Sequence, residues 1–501
     1  MKASFYREKW TRLKTQIIAP REFMRLSQQI AYSFMDSYLK DCHYEEDHID
    51  LLCEMTTFSE DTNLNGIAAQ ALFGIIIESL CDDFEDLQTE TYNRVMAQII
   101  SFCRKLRTAA ELDRCLQEFA IYTREDLLAR IEKIRVDTRM LSPRREVAKI
   151  LILSRVTIGA DVAINSIIIQ RLAQLFPSAE IVLIGGGNLD EIYGGNSKVR
   201  FCKVDYNRRG GLLERLSSWQ TVLSIIGREL AACPLTNTIL IDPDSRLSQL
   251  GVLPLIALDH YFFFDSRSEG SFAGNLAMAQ LTNTWLYRIT GVEDFRYPKV
   301  WLLPSNIGRA EQFYKKLKAN GAAGVIVINF GVGGNPRKKV GRLMEQTLLL
   351  SLLKEPNTVI LLDKGFGEEE RQHSRSLLKT IKAKGYSTQD SVFEDGLDTA
   401  INWGVIGLQT RIGEIAALIT VCDEYIGYDS ACQHIAAALQ TRCLTIFAGS
   451  NDMRFIRRWS AFGPATSQIV HVDTLTDPTE IDAEDIVTRI MMERKAGEAS
   501  D

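Results

Sequence analysis

Apolar residues recur every three or four positions through the first part of the chain, as in segments 67–87 and 91–106. Charged residues fill most positions between them, which is the pattern of amphipathic helices. Pro20 is the only proline before Pro143, so few turns interrupt the pattern. We therefore predict an all-helical domain over residues 1–145, with the methionine and aromatic stripes as its core.

The hydrophobic pattern changes after residue 146, where short continuous apolar runs alternate with helical stretches. The apolar runs of strand length are 147–153, 181–184, 199–204, 239–242, 260–264, 325–329, 358–362, 424–427 and 443–447. Strands that are apolar on both faces and alternate with helices indicate parallel sheets covered on both sides. We predict an α/β fold with two doubly wound, Rossmann-like domains over 146–303 and 304–501.

Composition narrows the class of protein. Hydrophobic residues make up 46% and charged residues 24% of the 501 positions, as in ordinary globular proteins. The net charge of −6 argues against nucleic acid as a partner. Ten scattered cysteines without metal-ligand spacing predict buried thiols, no metal site and a cytoplasmic location. No apolar run reaches the 18 residues that indicate a membrane-spanning helix. Peripheral contact with a membrane surface stays an open alternative.

One strand-to-helix turn has the composition of an anion site. The apolar run 424–427 leads into Asp429 and Ser430, and a helix of small residues follows. Backbone N–H groups at a helix start are free and carry the positive end of the helix dipole, which favours a phosphate. The alternative is that Asp429 or Ser430 only caps the helix.

Three loops of the second domain are expected to meet at the carboxyl edge of one sheet, where ligands of such sheets bind. Loop 329–339 supplies flexible backbone with Lys338, loop 364–370 supplies Glu368 at a helix start, and loop 428–434 supplies the anion turn. Amides and a lysine suit phosphates, and a carboxylate suits a ribose hydroxyl. We therefore predict a nucleoside diphosphate ligand, although neither a P-loop nor a G-x-G-x-x-G motif occurs there.

Two groups of residues then point to a known family. The first comprises Gly407, Thr410, Glu414–Ile419, Tyr425–Ser430, His434–Leu439 and Thr445–Phe447, and the second comprises Ile152–Arg155, Gly159–Val162 and Leu175–Pro177. They resemble the carboxyl-terminal and amino-terminal signatures of glycosyltransferase family nine, the heptosyltransferases of lipopolysaccharide assembly. The resemblance spans about residues 147–480. It implies a GT-B fold, with two Rossmann-like domains facing a cleft, the acceptor on the first and the nucleotide sugar on the second.

The resemblance also implies roles for single residues. Asp161 matches the general base, and Lys338 matches a lysine at the sugar phosphate, in a loop with Gly333 and Gly334. Glu368 matches a carboxylate at the nucleoside. The turn that holds sugar and diphosphate corresponds to Asp429, Ser430 and Ala431, and His434 follows it. The implied reaction is an inverting, metal-independent transfer from a nucleotide-diphosphate sugar, with ADP-heptose as a candidate donor. The hydroxyl acceptor is a glycan or a protein, and no other cofactor is expected.

Departures from the family pattern leave alternatives open. Ala160 stands directly before Asp161 where the family has glycine, and Ala431–Cys432 replaces Gly-Pro. A β-carbon there hinders close backbone approach. Asp161 could instead cap a helix, Lys338 and Glu368 could be solvated charges, and His434 could be structural. The alternative function is an inactive GT-B-like scaffold that acts through its helical domain, which is also a candidate surface for homo-oligomers.

Overall fold

The computed structural model describes residues 2–41, 43–59, 62–81, 84–136, 139–206, 210–267, 275–333, 335–476 and 481–498. Contacts divide the chain into two compact units. Unit 1 comprises Met1–Val156, Ser178–Gly187 and Phe201–Gly274, and unit 2 comprises Thr157–Pro177, Asn188–Arg200 and Asn275–Asp501. These units are defined by contacts, and the domain boundaries at 145 and 303 stay a prediction.

The amino-terminal part of unit 1 is helical, as its periodicity predicts. Its helices are α1 (Ala3–Leu13), α2 (Pro20–Asp41), α3 (Glu46–Thr57), α4 (Thr62–Ala71), α5 (Asp86–Cys103), α6 (Ala110–Glu118) and α7 (Arg124–Val136), with a π-helical turn at Leu72–Ile77. Among the described residues, one stretch, Asn63–Leu80, is long and apolar enough to cross a membrane by length and composition, and 44% of it is buried. A core helix of a soluble protein meets the same criteria.

Unit 1 also carries the first parallel sheet. Its strands are β1 (Lys149–Leu153), β2 (Glu180–Gly185), β3 (Val199–Lys203), β4 (Thr238–Asp242) and β5 (Tyr261–Phe263), in the order β3-β2-β1-β4-β5. Leu151 aligns with Val182 on one side and with Leu240 on the other. These side chains belong to the same hydrophobic cluster as Trp10 and Phe34 of the helical region. The helical region and the first sheet therefore share one continuous core.

Helices follow the strands of the first sheet, as the alternating pattern predicts. They are α8 (Ile158–Ala160), a π-helical turn (Asp161–Asn165), α9 (Ser166–Leu175), α10 (Leu189–Tyr193) and α11 (Leu212–Ala232). Two more, α12 (Met278–Thr290) and α13 (Pro304–Ala319), precede the second sheet. Of these helices, α11 lies in unit 1 and the others lie in unit 2.

Unit 2 contains a seven-stranded parallel sheet. Its strands are β6 (Gly324–Asn329), β7 (Thr358–Asp363), β8 (Ser387–Val392), β9 (Gly404–Gln409), β10 (Glu424–Tyr428), β11 (Cys443–Ala448) and β12 (Ser467–Val472), in the order β12-β11-β10-β6-β7-β9-β8. The helices between and after them are α14 (Arg342–Leu352), α15 (Glu368–Ala383), α16 (Ile412–Val421), α17 (Ala431–Ala438), α18 (Met453–Arg458) and α19 (Ala483–Glu498). The predicted strands are confirmed, whereas the sequence did not predict β8, β9 and β12.

Candidate functional site

The second sheet reverses its strand order at β6, which lies between β10 and β7. Ligands of doubly wound sheets bind beyond the carboxyl ends of the strands at such a reversal. Asn329, the last residue of β6, aligns with Gly427 near the end of β10. A β-carbon on Gly427 would lie 2.3 Å from the hydroxyl oxygen of Tyr425 and 2.7 Å from the carbonyl oxygen of Asn329. Glycine is therefore required where these two strands end.

Asp429 follows β10 and lies at this reversal. Its side chain is buried, forms an ion pair with Lys338, and accepts a 2.5 Å hydrogen bond from Nε2 of Gln433. Ser430 has extended backbone and precedes α17, but its hydroxyl makes no capping hydrogen bond with any residue that the structure describes. The carboxylate of Asp429 is thus directed to Lys338 and Gln433, which does not support a purely capping role.

Three neighbours fix the position of Lys338, which ends a short 3₁₀ turn at Pro336–Lys338. Besides Asp429, the ring of Phe455 lies under its ammonium group, 5.5 Å from centroid to Nζ. Gly449 has a φ of +78°, and a β-carbon there would lie 2.3 Å from the carbonyl oxygen of Arg337. The sequence did not single out Phe455 or Gly449.

The structure describes one of the two adjacent glycines before Lys338. Gly333 is exposed and has a φ of +60°, a conformation that favours glycine. Gly334 lies outside the described residues. The structure therefore supports a glycine-dependent loop at residue 333 only.

Asp161 lies inside a helical segment and is not its first residue. The segment begins at Ile158 after Thr157, and a π-helical turn starts at Asp161. Such turns occur frequently at functional sites. The Asp161 carboxylate is buried, and its Oδ1 accepts a 2.7 Å hydrogen bond from Nδ2 of Asn165. The hydroxyl of Tyr193 donates to the Asp161 carbonyl oxygen at 2.7 Å. Because Asp161 is the fourth residue of the segment, helix capping is not its role.

The segment with Asp161 packs against the start of α17, and both belong to unit 2. The contact is made at Gly159, where a β-carbon would lie 3.2 Å from Cα of Ala431 and 3.0 Å from Cδ2 of His434. Because Gly159 has no side chain, the backbone of Ala431 can pack closely against it. The structure brings the neighbourhood of Asp161 together with the turn that carries Asp429.

His434 is buried in the first half of α17. Burial lowers its pKa to about 4, because the imidazolium form would lose its hydration; Asp429 opposes this shift and Lys338 adds to it. Its ring lies edge-on to Trp459, 6.1 Å between centroids. His434 is therefore neutral at pH 7 and contributes no positive charge to an anion at this turn.

Two acidic residues at the start of α15 have different surroundings. Glu368 is exposed and accepts hydrogen bonds from Arg371 and Gln372 of its own helix. Glu370 accepts from the backbone N–H of Phe366 at 2.8 Å and of Val332 at 3.2 Å.

Glu370 thus connects the loops that follow β6 and β7 by hydrogen bonds, and the sequence did not predict this role. Its position as the third residue of the helix was the available signal, because a glutamate there often reaches back to the preceding backbone.

A buried polar cluster lies where β6, β7 and β9 end. The Asp363 carboxylate accepts a 2.9 Å hydrogen bond from the hydroxyl of Thr410 and another from Nδ2 of Asn329. Burial raises the pKa of Asp363 to about 6, and these hydrogen bonds limit the rise. The cluster holds three strand ends in register at the base of the glycine-containing loops. Throughout the described ranges, this cluster included, no group of three or more His, Cys, Asp or Glu could hold a metal ion.

Comparison with known proteins identifies a family that part of this chain matches. Residues 394–479 match the model of glycosyltransferase family 9 (heptosyltransferase). The turn at Asp429 and the start of α17 lie within the matched segment, whereas Asp161, Lys338 and Glu368 lie outside it. A search of curated proteins found no match.

Three solved structures are similar to this chain at low sequence identity. A family 9 glycosyl transferase from Veillonella parvula is similar at 13% identity and a TM-score of 0.50, covering 73% of this chain and all of the other. E. coli ADP-heptose lps heptosyltransferase II has 12% identity and a TM-score of 0.45, with 70% and 99% coverage. An E. coli heptosyltransferase solved with ADP has 12% identity and a TM-score of 0.43, with 69% and 99% coverage.

The fold is GT-B-like, and residues 394–479 match a family of glycosyltransferases. Within that class its similarity is to family 9, the heptosyltransferase family, so the predicted resemblance is confirmed. The predicted fold class is confirmed as well: two parallel sheets follow a helical region of about 145 residues.

Proposed function

We propose that this chain transfers a sugar, with inversion, from a nucleotide-diphosphate sugar to a hydroxyl acceptor. The observation that carries the proposal is the turn at Asp429, which lies at the strand reversal, pairs with Lys338 and falls inside the family 9 segment. ADP-heptose is the candidate donor, because heptosyl transfer is the activity in the family's description. The proposed site lies wholly in unit 2.

The donor diphosphate is proposed to bind between the start of α17 and Lys338. Backbone N–H groups at the start of this eight-residue helix and its dipole favour an anion, and the ammonium group of Lys338 adds a full positive charge. The Asp429 carboxylate would accept a hydrogen bond from a sugar hydroxyl. Glu368, at the start of α15, would do the same for a ribose hydroxyl. No metal is needed, because these groups stabilise the negative charge on the departing diphosphate.

Asp161 is the proposed general base. The acceptor hydroxyl attacks the anomeric carbon while its proton passes to the Asp161 carboxylate, and the bond from that carbon to the diphosphate oxygen breaks. A carboxylate held by Asn165 and buried beside Gly159 is oriented for this task. His434 would remain neutral and support the turn, which agrees with its lowered pKa.

The acceptor is proposed to be a glycan or a protein and the location to be the cytoplasm. The helical region shares its core with the first sheet, so it is a fixed part of unit 1. A protein acceptor would be recognised by this added helical surface. Mass spectrometry of cellular proteins, with and without the enzyme, distinguishes the two acceptor classes through sugar adducts on protein.

The first experiment is calorimetric titration with ADP, GDP and UDP, followed by a transfer assay with the nucleotide sugar that binds. Asp161→Asn is expected to lower transfer by roughly 10²- to 10⁴-fold and leave nucleotide affinity unchanged. Asp190→Asn, an exposed acid on α10, is the matched control.

The outcomes of this experiment separate three accounts. If no nucleotide binds, the proposed function is wrong. If transfer by Asp161→Asn equals that of the wild type, the assignment of the base is wrong. If a nucleotide binds and no nucleotide sugar supports transfer, the chain is a scaffold that has kept the donor site.

A further inference from the structure

Phe366 is the most exposed aromatic side chain among the described residues, at 93%. A phenylalanine is normally kept from water, because exposed apolar surface is unfavourable. This one lies in the loop after β7, at the same carboxyl edge of the second sheet as the proposed donor site. An uncovered aromatic face therefore lies at the edge where the donor is proposed to bind.

The backbone around Phe366 is built to present the ring. The flanking Gly365 and Gly367 have φ values of +72° and +88°, which other residues rarely adopt. A β-carbon on Gly365 would lie 2.3 Å from Oε2 of Glu370, so the loop closes tightly on that carboxylate. The same oxygen accepts the Phe366 backbone N–H at 2.8 Å. The side chain is thus held on the outside of a defined turn.

This turn is tied directly to the loop that carries Lys338. Oε1 of Glu370 accepts the backbone N–H of Val332 at 3.2 Å and lies 3.9 Å from Nζ of Lys339. Glu368, the proposed ribose partner, follows Phe366 by two positions. Along this edge the loop after β10 carries the proposed diphosphate turn, the loop after β6 carries Lys338, and the segment after β7 carries Phe366 and Glu368.

We propose that Phe366 is the stacking platform for the base of the donor nucleotide, with a preference for purines. The inference rests on the proposed function. Of the parts of a nucleotide sugar, the base alone has a flat apolar face, and every base can stack on an aromatic ring. A purine covers more of the ring than a pyrimidine does, which favours adenine or guanine over uracil.

The test compares ADP, UDP and inorganic pyrophosphate by calorimetry on the full chain. Phe366→Ala is expected to weaken ADP binding roughly tenfold, because base–aromatic stacking contributes that order of affinity. UDP binding should weaken less, and pyrophosphate binding should not change. Phe366→Trp keeps an aromatic face and should retain ADP affinity, whereas Phe366→Leu should lose it. Phe295→Ala, at another exposed aromatic residue of unit 2, is the control.

The possible failures are distinguishable. Equal ADP affinity of the wild type and Phe366→Ala overturns the stacking inference and leaves the proposed function intact. Equal losses for ADP and pyrophosphate also overturn it, because they indicate damage to the loop. If neither ligand binds the wild-type protein, the proposed function itself fails. Thermal unfolding of each variant verifies folding, which substitution of so exposed a side chain should not disturb.

Discussion

Both sheets reverse their strand order at an internal strand, yet the two reversal points are built in opposite ways. In the first sheet β1 lies between β2 and β4, and the loops that follow the strands at this edge contain buried polar side chains. In the second sheet β6 lies between β10 and β7, and the loops beyond it carry the Lys338–Asp429 pair and the exposed ring of Phe366. The same topology thus gives a closed polar core in one unit and an open edge in the other.

The polar groups of the first sheet pair mainly with one another, although both terminal nitrogens of Arg267 and Oδ1 of Asp244 have no hydrogen-bond partner among the described residues. Arg267 and Asp244 are both buried, with 3.0 Å between Nε and Oδ2, and the hydroxyl of Ser266 donates to the same carboxylate at 2.9 Å. Asp242 accepts a 2.6 Å hydrogen bond from Tyr261. Burial raises the pKa of Asp242 to about 6, and this hydrogen bond limits the rise.

The helical region completes this closed edge. Arg135 of α7 pairs with Asp265 at 2.7 Å, and Arg246 makes two 3.2 Å contacts with Glu78. The ring of Tyr92 lies 4.9 Å from the guanidinium carbon of Arg267. Substitutions at the first edge should therefore reduce stability, and substitutions at the second edge should reduce ligand binding.

The largest effect is expected from Arg267→Met. The substitution removes the nearer of the two cations beside the buried Asp244 carboxylate and leaves Arg155, at 4.0 Å, as the other. Breaking a buried ion pair in this way typically costs about 3–5 kcal/mol. Urea unfolding should show this loss, while the affinity for ADP stays that of the wild type. Arg228→Met, on the exposed face of α11, is the control. If the variant is as stable as the wild type but binds ADP more weakly, the first edge serves ligand binding and the comparison is wrong.

Lys338→Met should have the converse effect. Loss of the cation that faces the departing diphosphate is expected to lower transfer by roughly 10²- to 10³-fold. The free energy of unfolding should change less than in Arg267→Met, because the Lys338 side chain is 24% exposed, that of Arg267 is 2% exposed, and Gln433 still donates to the Asp429 carboxylate. Steady-state rates and urea unfolding measure the two quantities. Lys339→Met removes the same charge one position away, and an equal loss of rate there would refute the assignment.

His434 should make the open edge sensitive to acid. Its pKa is about 4 in the folded protein and near 6.5 when unfolded, so the unfolded state binds more protons as the pH falls below 6.5. The folded state should lose about 2 kcal/mol between pH 7 and pH 5 from this group. In His434→Gln this part of the pH dependence should vanish, as measured by unfolding at both pH values. Parallel curves for variant and wild type would contradict the pKa.

The smallest effects separate the two glutamates of α15. Glu370→Gln keeps one acceptor for two backbone N–H groups and should cost about 1–2 kcal/mol of stability. Glu368→Gln should leave stability unchanged and weaken ADP binding a few-fold. Thermal unfolding and calorimetry on the same samples test both. Reversed results would assign the ribose contact to Glu370.

Most of the architecture could be predicted from apolar periodicity, because buried parallel strands are apolar on both faces. Strand β8 escaped prediction because its sequence, Ser-Thr-Gln-Asp-Ser-Val, is that of a half-exposed edge strand. Strand β9 is buried and lies inside the sheet, but two of its six residues are glycines, which interrupt the apolar run. Local sequence thus misses polar strands at the rim of a sheet and buried strands that glycine interrupts.

The candidate site was predictable only where a short motif carried it. The turn at Asp429 and its lysine partner could be inferred because charge and small residues stand at strand ends. The contact of Gly159 with Ala431 and the bridge made by Glu370 join positions far apart in sequence, so no local pattern reveals them. Helix capping was the alternative role for Asp161, and no local pattern reveals that a π-helical turn begins at this residue.

A crystal structure with bound ADP would show directly whether the open edge is the donor site. We predict that the diphosphate binds at the start of α17, within hydrogen-bond distance of its first backbone N–H groups and of Nζ of Lys338. The adenine ring should lie on Phe366. A diphosphate bound away from α17 and Lys338, for example at the closed edge around Arg267, would refute the proposed donor site.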